Sequence, residues 1–145
     1  MKIFVDTSVL VAGSVREHPH NARSRAVLHE AASGKHEFLI SAHSVGEVYS
    51  ALTNLPLRPR ITPIEAQTII DNNIIPHFRR VAVTAKMYEA AIARCAEAGL
   101  AGGIVYDAIL LECARRADVK RIYTLNERDF RRLAPDLATV ISAPL

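Results

Sequence analysis

Asp6, Glu47, Asp107 and the polar pair Asn126/Asp129 lie far apart along the chain, yet each interrupts otherwise apolar text. Asp6 closes Lys2-Ile3-Phe4-Val5, Glu47 sits among Val45, Val48 and Tyr49, Asp107 opens the run Ala108-Ile109-Leu110-Leu111, and Asn126 and Asp129 follow Ile122-Tyr123-Thr124. A single acid in such a place has an ordinary use. Asp6 fits a helix cap, Asp107 the favourable end of a helix dipole, Glu47 a boundary position beside an apolar stripe, and Asn126 with Asp129 a turn. Glu112, five residues after Asp107, falls by helical spacing nearer the opposite, solvent side. Brought to one place, however, several carboxylates raise one another's pKa and form an all-oxygen pocket of the kind that suits a hard divalent cation.

Whether they meet depends on the elements that carry them. Residues 2–6 read as a short buried strand, followed by the helical turn Thr7–Ser14 and a helix over about 20–33 that ends at Gly34. A second strand covers 37–41 and a helix about 43–54, broken at Pro56 and Pro59. Thr62-Pro63-x-Glu65 restarts a helix, which should end near Pro76. Residues 79–83 read as a strand, 85–98 as an Ala-rich helix, 99–103 as a loop and 105–117 as an amphipathic helix. Strands at 121–125 and 138–142 flank a short helix near 127–133. Strands alternating with helices imply a parallel sheet covered on both faces, with ligands outside the carboxyl ends of the strands. Asp6 and the Asn126/Asp129 pair stand at such ends.

Composition bounds the remaining possibilities. A chain of 145 residues, half hydrophobic and 23% charged, suits one globular domain over 1–145 and excludes disorder. No uncharged apolar stretch is long enough to cross a bilayer, and an acid at position 6 comes too early for a signal peptide, so a cytoplasmic protein without membrane partners is expected. Cys95 and Cys113 lack metal spacing and read as reduced, buried thiols. None of the six histidines forms a helical metal pair, and Ser8, Ser41 and Ser44 have no histidine at a diagnostic spacing, which disfavours zinc and covalent chemistry. The net charge is +3 and the pI near 9.1. Arg58 and Arg60 in the Pro-rich loop, and Arg128 beside the Asn126/Asp129 pair, are the candidates to neutralise phosphates, against the simpler reading of a solvated surface.

Taken in order, Val5-Asp6-Thr7-Ser8, Ser44-Val45-x-Glu47-Val48, Tyr106-Asp107-Ala108 and Thr124-x-Asn126-x-x-Asp129-Phe130 resemble the PIN-domain ribonucleases, in particular the VapC-type toxins of toxin–antitoxin pairs. The resemblance spans essentially the whole chain. It implies an α/β/α sandwich around a central, mostly parallel sheet of about five strands. It also implies a Mg2+-dependent endoribonuclease, Mn2+ substituting, that hydrolyses RNA by metal-activated water. The family's first three acidic positions map onto Asp6, Glu47 and Asp107, with Asp6 and Asp107 as metal ligands and Thr7, Ser8, Thr124 and Asn126 in support. Where the family often has a fourth acid, this chain has Asn126. Two readings stand: Asp129 takes over part of that role, or Asn126 holds a water at the ion. The resemblance further implies a homodimer restrained by an antitoxin, whose arginine would compete with metal for carboxylate oxygens. Apolar residues on the 43–54 and 63–76 helices are candidates for either contact, against ordinary core packing. A catalytically impaired RNA-binding or protein-interaction module is the alternative. A dinucleotide-binding protein is disfavoured because Gly99, Gly102 and Gly103 do not follow the first strand, and a haloacid-type phosphatase because Ser8 stands where it needs a second aspartate.

Overall fold

The computed structural model describes all residues, 1–145. Its elements are β1 (Lys2–Val5), α1 (Thr7–Ser14), α2 (Asn21–Ser33), β2 (Glu37–Ser41), α3 (Ala42–Asn54), α4 (Pro63–Asn73), β3 (Arg79–Val81), α5 (Ala85–Ala98), α6 (Ile104–Arg116), β4 (Arg121–Tyr123), α7 (Glu127–Leu133) and β5 (Ile141–Ser142), with a 3-10 turn at Pro135–Leu137. The five strands lie in the order β3-β2-β1-β4-β5, and every pairing is parallel.

The inner strands β1, β2 and β4 are buried on both faces, and the period-2 alternation of side chains divides the core in two. Ile3, Val5, Phe38 and Ile40 point into one apolar layer with α1 to α4. Phe4, Leu39, Ile122 and Ile141 point into the other with α5 to α7. This is the expected α/β/α sandwich, and its sheet is wholly rather than mostly parallel. Helix limits follow local chemistry. Thr62 and Glu65 form a reciprocal capping box at the start of α4 with Pro63 in its first turn, and α5 closes on Gly99, whose φ of 66° favours a residue without Cβ. No helix is long and apolar enough to cross a membrane.

Several expected limits shift, each for a local reason. Helix α4 stops at Asn73, because the Ile75 amide turns back to Ile70 O and the His77 and Phe78 amides to Ile74 O, forming a turn around Pro76. Strand β3 ends at Val81, since Thr84 is already committed to capping α5. Strand β4 ends at Tyr123, because the next two free amides, Leu125 and Asn126, bond to the Ser8 and Thr124 hydroxyls. Strand β5 is confined to Ile141–Ser142, as Ala138 and Val140 donate into the preceding turn.

One expectation is overturned. Glu112 does not face solvent: it is 4% exposed. Helix α6 is buried continuously from Ala108 to Ala114 because α5, α7 and the sheet enclose it, so it has no free face on that side. Glu112 is accommodated there by Arg94 Nε at 2.7 Å and Arg115 Nη1 at 2.8 Å, and Arg115 bridges onward to Asp136. Cys95 and Cys113 are free, buried thiols as expected.

Candidate active site

Strands β1 and β4 are neighbours at the point where the sheet order reverses: the chain runs from β1 outward to β2 and β3 on one side and to β4 and β5 on the other. Crevices open beyond the carboxyl ends of strands at such a switch point. Asp6 follows β1 and Thr124 follows β4, and the Asp6 amide donates to Tyr123 O at 2.9 Å, continuing the ladder to its last rung.

Asp6 is 2% exposed and stands at the N-cap of α1 without capping it. Its Oδ2 instead accepts from Ser8 Oγ at 2.6 Å and Thr124 Oγ1 at 2.8 Å. Both hydroxyls are themselves fixed: Ser8 Oγ accepts from the Leu125 amide and Thr124 Oγ1 from the Asn126 amide. Two backbone N–H groups thus force two hydroxyl protons onto one carboxylate oxygen, leaving Oδ1 without a side-chain donor. Burial raises the pKa of Asp6, with a further push from the charge on Glu47. The Ser8 and Thr124 hydrogen bonds and the Thr7 amide oppose that rise.

Glu47 comes in from α3, one-third exposed. Its Oε1 is 2.9 Å from Thr7 Oγ1, which also lies 2.8 Å from the buried Ser44 hydroxyl. Thr7 has one proton to give, and the carboxylate is the stronger acceptor. Asp107 enters from the first turn of α6, partly buried. Its pKa is pushed up to about 7, first by burial and then by the charges of Asp6, Asp129 and Glu47. Four acids from four elements therefore share one field, and no Lys or Arg side chain forms an ion pair with Asp6, Glu47 or Asp107.

The other candidates divide. Asp129 contributes to that field but is partly exposed and bonded to Arg132 at 3.3 Å. Asn126 is exposed and uses its backbone amide, not its side chain, in the Thr124 contact. Arg58 and Arg60 lie on the exposed loop between α3 and α4, and Arg128 on the surface of α7. None of the three makes a hydrogen bond or ion pair to the acids. Between α3 and α4 lies an apolar groove of about 430 Å³ lined by Val45, Tyr49, Pro63, Ile64, Gln67 and Ile70, with Ile64 76% exposed. Two residues absent from the candidate set border the cluster: His43, one turn before Glu47, and Tyr106, which precedes Asp107 and stacks on the His43 ring. An aromatic next to an acid at a helix start is a signal the sequence carried.

The donor set suits a divalent cation. It is all oxygen, buried or half-buried, negatively charged and without a countercharge from the protein, and hard cations prefer such ligands. No three Asp, Glu, His or Cys side chains stand close enough to enclose an ion by themselves, so an ion held here would have one or two direct carboxylates and keep part of its water shell.

A doubly covered parallel sheet with acids gathered at its switch point defines a small class of α/β proteins, and the chain belongs to the PIN-domain family, whose model matches residues 3–135. Within it, the chain stands among VapC-type proteins. It is 35% identical over 127 residues to Ribonuclease VapC40 of Mycobacterium tuberculosis, in both strain CDC 1551 and strain H37Rv, covering 87% of this chain and 85% of the relative. Among solved structures it resembles M. tuberculosis VapC20, described as a Sarcin-Ricin loop cleaving toxin, with a TM-score of 0.67 and 21% identity over 86% of this chain and 89% of that one. It also resembles VapBC2 from Rickettsia felis bound to a DNA fragment from their promoter, with a TM-score of 0.71 and 18% identity over the full length of both. At those identities the shared property is the fold.

Proposed function

We propose that the chain is the toxin of a toxin–antitoxin pair, a single-domain endoribonuclease that acts in the cytoplasm and hydrolyses RNA phosphodiester bonds with Mg2+, which Mn2+ can replace. The observation that carries this reading is the charge at Asp6, Glu47 and Asp107: three carboxylates in one field with no Lys or Arg side chain paired with them, His43 standing 4.0 Å from Glu47. The relative named as a ribonuclease and the likeness to VapC toxins support the same conclusion.

Asp6 Oδ1 and the Asp107 carboxylate would hold the ion. When bound, it supplies positive charge that offsets charge developing on the phosphodiester and makes water a better nucleophile at neutral pH. Ser8 and Thr124 keep Asp6 turned so that Oδ1 remains free. Glu47, held through Oε1 by Thr7, keeps Oε2 available to orient the attacking water and take its proton. Asp129 adds negative potential from the rim, while the exposed Asn126 would orient water. Arg58, Arg60 and Arg128 would meet phosphates further along the RNA.

Restraint by an antitoxin fits the same geometry, because a guanidinium entering the cluster would supply the missing countercharge. The exposed groove between α3 and α4 is our candidate for contact with that protein or with a second copy in a homodimer. The test is to incubate the purified chain with cellular RNA in Mg2+ or in EDTA and sequence the new ends, with Asp6→Asn as control. Discrete ends that need both Mg2+ and Asp6 are expected. Their absence would leave the impaired, binding-only module.

A further inference from the structure

At the rim of the acidic cluster two rings lie face to face. His43, in the first turn of α3, and Tyr106, in the first turn of α6, have centroids 5.7 Å apart and planes within 8° of parallel. At that separation the rings are offset rather than superposed. Both are tied to the site by position. His43 Nε2 is 4.0 Å from Glu47 Oε1, and Tyr106 is bonded in sequence to Asp107. Neither ring has a part in holding a cation or activating water.

A tyrosine kept for packing is normally buried, with its hydroxyl satisfied. Tyr106 is 49% exposed and its hydroxyl makes no hydrogen bond to the protein. Its ring is therefore braced on one side by His43 and about half exposed to solvent. A large flat apolar surface held in one orientation beside a reactive centre costs little further ordering when a planar partner lands on it.

We infer that Tyr106, braced by His43, is a stacking platform for one unpaired RNA base adjacent to the phosphodiester at the carboxylates. This rests on the ribonuclease reading and sharpens its substrate class to single-stranded or splayed RNA. A base inside an A-form helix already has both faces covered, whereas an unpaired base can swing onto an aromatic ring. Every base has a π face, so the platform selects for unpaired structure more than for base identity. Tyr106 is the substrate-binding residue and His43 its positioning residue.

The chain contains no tryptophan, so Tyr106→Trp introduces a single fluorescent reporter. In the full chain carrying Asp6→Asn to prevent cleavage, this reporter is titrated with a short mixed-sequence single-stranded RNA, the same sequence as a duplex, and a ribose-phosphate oligomer of equal length without bases. Single-stranded RNA should quench it, and the baseless oligomer should not. By anisotropy of labelled RNA, Tyr106→Ala should weaken binding about ten- to a hundred-fold, the range expected for one stacked base, and Tyr106→Phe should restore it. His43→Ala should lose less, and His43→Phe, which keeps the stack, should recover the loss. Circular dichroism shows whether each variant is folded, and Tyr106→Phe carries the decision if the alanine variant is not. Equal quenching by the baseless oligomer, full affinity in Tyr106→Ala, or failure of Tyr106→Phe to bind would overturn the platform, the first two leaving Tyr106 free for contact with a protein. The ribonuclease reading fails separately, when the unmodified chain cuts no RNA. Base-dependent quenching in that case would keep the platform and remove the enzyme.

Discussion

Helix α6 and its surroundings contain two nearly inaccessible carboxylates treated in opposite ways. Glu112, on α6 itself, is 4% exposed and held by the guanidinium groups of Arg94 and Arg115, with Arg116 at 3.9 Å. Asp6, at the switch point that the start of α6 faces, is 2% exposed and receives only hydroxyls and a backbone amide. Removing a carboxylate from water costs several kcal/mol unless charge or hydrogen bonds replace the lost hydration. The protein supplies that charge at Glu112 and withholds it at Asp6, then places Glu47, Asp107 and Asp129 within the same field. Burial therefore does not separate the two acids. The countercharge does: Glu112 finds its own within the chain, and Asp6 does not, which is the charge the proposed cation would supply.

The sharpest way to break the comparison is to neutralise each acid without changing its shape. Asp6→Asn should lower RNA cleavage on the order of a thousand-fold while the metal-free fold stays as stable or gains, because a desolvated charge is removed and Asn Oδ1 can still accept from Ser8 and Thr124. Glu112→Gln should do the reverse. Cleavage per folded molecule is retained, but stability falls by about 2 kcal/mol, less than for a fully buried pair because Arg94 and Arg115 keep some access to water. Denaturant melts and initial rates on the same preparations check both. If Asp6→Asn unfolds and Glu112→Gln does not, the assignment of roles is inverted.

Metal provides the next test, of similar size. An ion that binds only the folded chain stabilises it by about 2.7 kcal/mol at a hundred times its dissociation constant. Mg2+ or Mn2+ should thus raise the melting temperature of the unmodified chain and of Glu112→Gln alike, but scarcely that of Asp6→Asn. Equal shifts in all three would place the ion elsewhere.

Much of this was legible in the residues. The period-2 apolar runs at 2–5 and 37–41, the Thr62-Pro63-x-Glu65 cap and Gly99 all act locally, so their effects survive folding unchanged, and the fold class follows from the alternation of strands and helices. The acids at 6, 47 and 107 stood out because apolar text surrounds them. What could not be read depends on other parts of the chain. Glu112 looked solvent-facing because helical spacing ranks positions on one helix and does not show that α5 and α7 cover the far side. The Ser8–Thr124 clamp on Asp6 joins residues 116 positions apart, and the chain's exit from β4 at Tyr123 is set by that clamp rather than by strand propensity. Asn126 remained ambiguous because its useful contact is through the backbone amide, which any residue but proline would provide.

The smallest effect examines the shared field directly. Asp107 has its pKa raised from 3.8 to about 7 in the metal-free protein. Between those values the folded chain holds a proton that the unfolded chain has released, so this group's contribution to stability declines as pH rises through the window and levels off above about 7. Asp107→Asn cannot ionise. It should therefore match the parent near pH 4 in EDTA and become progressively more stable than the parent up to about pH 7, whereas Asp6, whose pKa is also raised, titrates in both proteins and largely cancels from the difference. Saturating Mg2+ reverses the sign of the argument, because the ion favours the charged carboxylate: the parent should then be the more stable protein at pH 7 and above. Paired thermal melts across this range, with EDTA and with Mg2+, read both curves. A difference independent of pH in EDTA would mean that Asp107 is ordinarily solvated, and that the carboxylates do not act on one another.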